Sequence, residues 1–166
     1  MINTGVVRTY YNEKKESIKK EYFEINGKKE GIYKSYHENG KLREEVNYIN
    51  DKKQGIYKSY NLIEVLHEEI NYVDDKIQGI YRTYYDNGVL QQEVNYIDSK
   101  KQGLYKNYYP RGQLRIEVNY IDDKKQGICK IYYENGKILI TGNYLNDHVN
   151  GKYKLYYENG ELRKNI

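Results

Sequence analysis

Side chains able to do chemistry are few in this sequence, and their placement argues against catalysis. Adjacent carboxylates recur, as in Glu44-Glu45 and Glu68-Glu69. Two carboxylates can serve as general acid and general base when they share a cleft and their environments separate their pKa values. Neighbours on a strand, however, point to opposite faces. The pairs also recur in register along the chain, as scaffold positions do, whereas a reaction centre is a single distinct place. His37, His67 and His148 lie in different repeats and at different places in them, so no metal-ligand spacing forms. Cys129 is the only cysteine. It excludes a disulfide framework and a thiol-rich metal site, and it stands where related segments carry Tyr33 or Tyr57. No glycine-rich phosphate loop occurs. The sequence therefore predicts no catalytic residue, no cofactor and no metal.

What positions these residues is a repeat. Gly31, Gly55, Gly79, Gly103, Gly127 and Gly151 each open a similar block, spaced 24 residues apart. Gly5 opens an earlier block with two extra residues near Asn12 to Ser17. The expected organisation is one array over residues 1–166, made of seven units starting at those glycines. Each unit holds two runs rich in Tyr, Ile and Val, such as Gly31–His37 and Leu42–Tyr48. Asn-Gly or similar turn residues separate the two runs. About fourteen short antiparallel strands are predicted, and at roughly 4.8 Å per strand the sheet would extend on the order of 65 Å.

The single proline sets the expected hairpin register. Pro110-Arg111-Gly112 stands where other units have Glu-Asn-Gly. A three-residue loop suits it, with proline at the second position of a type I turn and glycine in a left-handed bulge. Tyr36 then faces Leu42 and Ile32 faces Val46. One face collects Ile32, Tyr36, Leu42, Val46 and Tyr48; the other collects Tyr33, Ser35, Arg43, Glu45 and Asn47. A second pattern opposes this register. Lys34 and Glu45 recur as a basic–acidic pair, as do Lys58 with Glu69, Arg82 with Glu93 and Lys106 with Glu117, and direct pairing of these needs a shift of one residue.

The block Gly151-Lys152-Tyr153-Lys154-Leu155-Tyr156-Tyr157-Glu158-Asn159-Gly160-Glu161-Leu162 resembles the MORN repeat family, in its short variant rich in Tyr and Asn-Gly. The likeness covers nearly the whole chain, although the commoner family form has more glycine and uses Trp or Phe where this chain has almost none. The resemblance implies an all-β fold: an elongated, single-layer antiparallel sheet of consecutive β-hairpin repeats. It also implies protein–protein interaction, and in some members contact with membrane lipids. Bacterial proteins of this variant often carry the label antitoxin. The family offers no catalytic residues to carry over.

Composition agrees with a scaffold. There are 23 tyrosines and no tryptophan, and 28 basic residues stand against 24 acidic ones. That mild, interspersed charge is not a nucleic-acid footprint. No apolar run reaches membrane-helix length, and the first residues lack a signal-peptide core, so the expected compartment is the cytoplasm. Three surfaces are candidates for binding. The first is the row Tyr36, Tyr60, Tyr84, Tyr108, Tyr132 and Tyr156, as a protein-binding face. The second is the altered third-unit turn, where Leu62, Ile63 and Val65 form an apolar knob. The third is a basic edge of Lys52, Lys53, Lys100, Lys101, Lys124 and Lys125 that could meet anionic lipid. The expected function is a non-enzymatic scaffold for an unidentified protein partner, with lipid binding or toxin neutralisation as alternatives. Arg163 and Lys164 on the last strand discourage edge pairing, so a monomer or weak self-association is expected.

Overall fold

The computed structural model describes residues 2–166. The fold is all-β, one open antiparallel sheet with its strands in sequence order. The chain divides into two compact units, residues 1–79 and 80–166. The first unit holds β1 (Thr4–Tyr10), β2 (Ile18–Ile25), β3 (Lys28–Tyr36), β4 (Leu42–Ile49), β5 (Lys52–Tyr60) and β6 (Leu66–Val73). Strand β7 (Lys76–Tyr84) begins in it. The second unit holds β8 (Leu90–Ile97), β9 (Lys100–Tyr108), β10 (Leu114–Ile121), β11 (Lys124–Tyr132) and β12 (Ile138–Leu145). It ends with β13 (His148–Val149), β14 (Lys154–Tyr156) and β15 (Leu162–Asn165). The short β13 pairs beside β12, which makes fifteen strands instead of about fourteen.

Two kinds of turn alternate, each dictated by local sequence. The first kind is the predicted three-residue loop. In the second hairpin, Gly40 donates its amide to the His37 carbonyl and His37 donates to the Lys41 carbonyl. Gly40 closes the loop at φ 83°. Pro110 sits at the second position of the same loop, and Gly112 closes it at φ 92°. The third-unit turn keeps this geometry without glycine. Glu64 takes the left-handed position at φ 66°, and Asn61 Oδ1 accepts from the amides of Ile63 and Val65. The expected longer loop of the first unit is also present, with Tyr11 donating to the Ser17 carbonyl.

The second kind is a two-residue turn between hairpins. Asn50 and Asp51 both have positive φ, as a type I′ turn requires, and Asn and Asp tolerate that region. Asp74-Asp75, Asp122-Asp123 and Asn146-Asp147 repeat it. The turn between units is therefore only two residues long. Lys52 and Lys53 belong to β5, and β3, β5, β7, β9 and β11 each start three residues before the glycine of their unit. Gly31 and Gly55 do not open strands but lie inside them at positive φ. In the seam between β4 and β5, Val46 alone faces the three residues Gly55 to Tyr57, a bulge that glycine accommodates without a Cβ penalty.

The register corrects the expected faces. Tyr36 does pair with Leu42, as the proline argument requires. Beyond it one residue of β4 is left unpaired, and from there Ser35 faces Glu44, Lys34 faces Glu45, Tyr33 faces Val46 and Ile32 faces Asn47. Both sequence patterns hold, on either side of a β-bulge. The bulge reverses the facing of the rest of β4. Val46 and Tyr48 join Tyr33 and Ser35 on one face; Glu45 and Asn47 join Ile32 and Tyr36 on the other. The same shift recurs in β5/β6, β9/β10 and β11/β12.

Candidate interaction faces

One face of each unit is packed, in place of a conventional core. Tyr33, Val46 and Ile70 are buried in the first unit, and Val94 and Val118 in the second. Tyrosine rings lie edge-on to one another across the strands. Tyr33 meets Tyr48 at 5.7 Å between ring centroids, Tyr57 meets Tyr72 at 6.2 Å, and Tyr105 meets Tyr120 at 5.9 Å. Such geometry suits the ring quadrupole. A lysine covers two of these pairs: Lys53 Nζ is 5.1 Å from the Tyr57 ring and 4.9 Å from the Tyr72 ring. Lys101 covers Tyr105 and Tyr120 in the same way. Burial holds the phenols neutral and pushes the Tyr33 hydroxyl up to about 12, with the Glu44 carboxylate adding to the shift. Tyr57 is raised for the same two reasons, and it donates to Glu44 Oε2 at 3.1 Å.

The opposite face is a charge ladder flanked by two apolar borders. In the first unit Arg8, Glu21, Lys34, Glu45, Lys58 and Glu69 alternate in sign across paired strands. In the second unit Glu93, Lys106, Glu117 and Lys130 do so until Thr141 interrupts the series. Lys130 Nζ lies 2.9 Å from Glu117 Oε1. One border of the ladder is the predicted tyrosine row. Three of its hydroxyls bind ladder carboxylates: Tyr60 donates to Glu45, Tyr108 to Glu93, and Tyr132 to Glu117 at 2.6 Å. The hydrogen bond from Tyr132, followed by that from Lys130, lowers the Glu117 pKa. The row is thus half-buried and tied to the ladder.

The other border was not foreseen. Ile32 and Ile56 in the first unit, and Ile80, Leu104 and Ile128 in the second, are 46–63% exposed. Ile49 and Val73, then Ile97, Ile121 and Leu145, add a second exposed aliphatic row beside the type I′ turns. Sequence reasoning missed them because it placed Ile32 on the same face as Val46, which is buried. The available signal was the Lys34–Glu45 pairing, which places Ile32 opposite Asn47 instead.

The remaining candidates are also placed. Leu62 and Ile63 are 61% and 66% exposed at the tip of the third-unit turn, and Val65 is half-buried at its base. The lysine edge splits in two. Lys52, Lys100 and Lys124 are exposed on the ladder face, paired with Ile49, Ile97 and Ile121. Lys53, Lys101 and Lys125 turn to the packed face and lie over rings. The turns along this edge also brace one another. Asp75 Oδ1 accepts from the Lys53 amide, Asp123 from Lys101 and Asp147 from Lys125. Among the described residues no group of His, Cys, Asp or Glu is arranged to hold a metal ion, and no helix is long and apolar enough to cross a membrane.

The MORN repeat variant pattern matches residues 29–50, 77–98, 101–122, 125–146 and 149–166, well over half of the chain. This chain belongs to the MORN repeat family. The segment around the Leu62–Val65 turn lies outside the matched residues, as does the first hairpin with its longer loop. Comparison with curated proteins gave no match. Among solved structures the chain is similar to one described as "Crystal Structure of TarM", at 17% identity and a TM-score of 0.30. That likeness covers 68% of this chain and 20% of that one, so the chain spans about a fifth of its length. MORN repeats are generally non-enzymatic and commonly serve binding.

Proposed function

We propose that this MORN array is a non-enzymatic scaffold whose ladder face binds a protein partner. The observation that carries the reading is the exposed aliphatic border. The packed face buries its valines almost completely, with Val118 at 1% exposure, while Leu104 and Ile128 remain open on the other face of the same unit. Exposed large apolar side chains in contiguous rows, rimmed by polar residues, mark interaction surfaces. The rim here is the ladder, whose charges fix register, and the tyrosine row, which offers rigid rings at low entropic cost.

The test is quantitative capture from native cells with the wild-type chain and with a Leu104→Lys, Ile121→Lys, Ile128→Lys variant, each verified as folded by circular dichroism. A near-stoichiometric protein partner lost by the variant supports the reading. Equal capture by both, or capture of no protein, overturns it. A toxic enzyme as that partner would make the scaffold an antitoxin-like neutraliser. A second reading rests on Lys52, Lys100 and Lys124, each paired with an exposed aliphatic residue. Charge beside apolar side chains suits an anionic membrane surface. Salt-sensitive binding to phosphatidylserine vesicles, lost on Lys-to-Glu change at those positions, would establish it.

A further inference from the structure

The hairpin β11/β12 departs from its fellows on the packed face, and its departures agree with one another. Where β3/β4 sets Tyr33 opposite Val46 and β9/β10 sets Tyr105 opposite Val118, β11/β12 sets Cys129 opposite Gly142. One ring and one branched side chain are missing from a single cross-strand pair. The next pair changes as well. Ser35 opposite Glu44, joined by a 2.9 Å hydrogen bond, becomes Ile131 opposite Ile140. The acceptor for the ring hydroxyl is also gone. Tyr57 donates to Glu44 and Tyr105 to Gln92, but the residue in that place before Cys129 is Ile116. Val149 stands where Lys53, Lys101 and Lys125 stand elsewhere.

These changes leave a cavity of about 280 Å³. Cys129 and Gly142 form its floor, and Ile131, Ile140, Val149 and Tyr144 contribute to its walls. Tyr153 forms the far wall and closes tightly on Gly142, where an added Cβ would lie 2.9 Å from the Tyr153 Cβ. Glycine is thus required for the wall to close. An adjoining recess of about 260 Å³ shares Cys129, Ile131 and Tyr144 and reaches Ile116 and Val118. Lys125 lies 5.3 Å from the Tyr144 ring. Lys53 and Lys101 each cover two rings, and the second ring under Lys125 is the one that Cys129 replaces.

We propose that this cavity and the recess beside it form one binding site for a small, neutral, single-ring aromatic molecule. The ring would stand in the recess, where the missing tyrosine ring would, beside Tyr144 and beneath Lys125 with Ile116 at its far end. The volume fits one ring, since an apolar cavity of roughly 150 Å³ holds benzene. Ile116, Ile131 and Ile140 offer no hydrogen-bond partner from their side chains, so a ring without a hydroxyl is preferred over a phenol. The ammonium of Lys125 favours an aromatic ring over a saturated one of equal size.

The test is methyl NMR of the isoleucine-labelled full chain with toluene, methylcyclohexane and phenol as probes. Toluene is expected to shift the Ile116 and Ile131 methyls saturably, with roughly three-fold higher affinity than methylcyclohexane. Lys125→Met is expected to remove that preference. Cys129→Tyr, which restores the repeat's own ring, is expected to abolish the shifts. Should that variant fail to fold, Cys129→Leu fills part of the same space and is expected to weaken them. Non-saturable shifts, no shifts, tighter binding of phenol, equal binding of toluene and methylcyclohexane, or unchanged binding in the filled variants would overturn the assignment.

Discussion

The two faces of this sheet use similar residue types to opposite ends. On the packed face, tyrosines pair edge-to-edge over valines and carry lysines above them. On the ladder face, tyrosines reach sideways to carboxylates, and aliphatic residues stand open to solvent. A sheet with no second layer must do both, because one set of side chains has to exclude water without a covering element. The difference teaches that the row through Val46, Val94 and Val118 marks the interior, whereas the tyrosine row selected from the sequence borders the opposite face. It also separates stability from recognition, so changes to the two faces should have different consequences.

The largest effect should come from the packed face. Val118→Ala is expected to destabilise the chain by about 2 kcal/mol, from lost burial and the void left behind. Urea unfolding would measure it, and a loss below half that value would deny the valine row its role. The phenols of this face offer a second test. Tyr33 has a folded pKa of about 12, above its ordinary 10.0. Its contribution is therefore complete below pH 10 and lost as pH rises through about 12. Tyrosinate absorbance and unfolding should rise together in that window; ionisation of every tyrosine near pH 10 with the fold intact would contradict the packing.

Smaller effects should separate turn from face. Glu64→Gly is expected to stabilise by about 1 kcal/mol, since glycine relieves a left-handed position that other residues occupy at a cost. Thermal unfolding would read it. On the ladder face, Leu104→Lys should change stability by no more than about 0.5 kcal/mol, as exposed substitutions do. A loss as large as that of Val118→Ala would mean that the aliphatic border is structural. Acid should act weakly here too. The Glu117 pKa is lowered in the folded chain, so its contribution is present above its ordinary value of 4.5 and declines as pH falls through the folded value. Glu117→Gln should flatten that decline in an acid titration followed by circular dichroism.

Much of this architecture is written in the sequence. The spacing of Gly31 to Gly151 gives the repeat, and Pro110 gives the loop, because a residue without an amide donor admits few turns. Lys34 and Glu45 give the cross-strand pairing beyond it. Taken together, these two registers differ by one residue, and that residue is the bulge. The bulge itself has no compositional mark, since the extra residue is the ordinary, exposed Arg43 or its neighbour. Only the tertiary structure decided which side of it each second strand presents, because one unpaired residue inverts every side chain that follows. That inversion set Val46 beside Tyr33 on the packed face and left Ile32 on the other. It also set the lone Cys129 opposite Gly142, so that two substitutions visible separately in the sequence line one cavity.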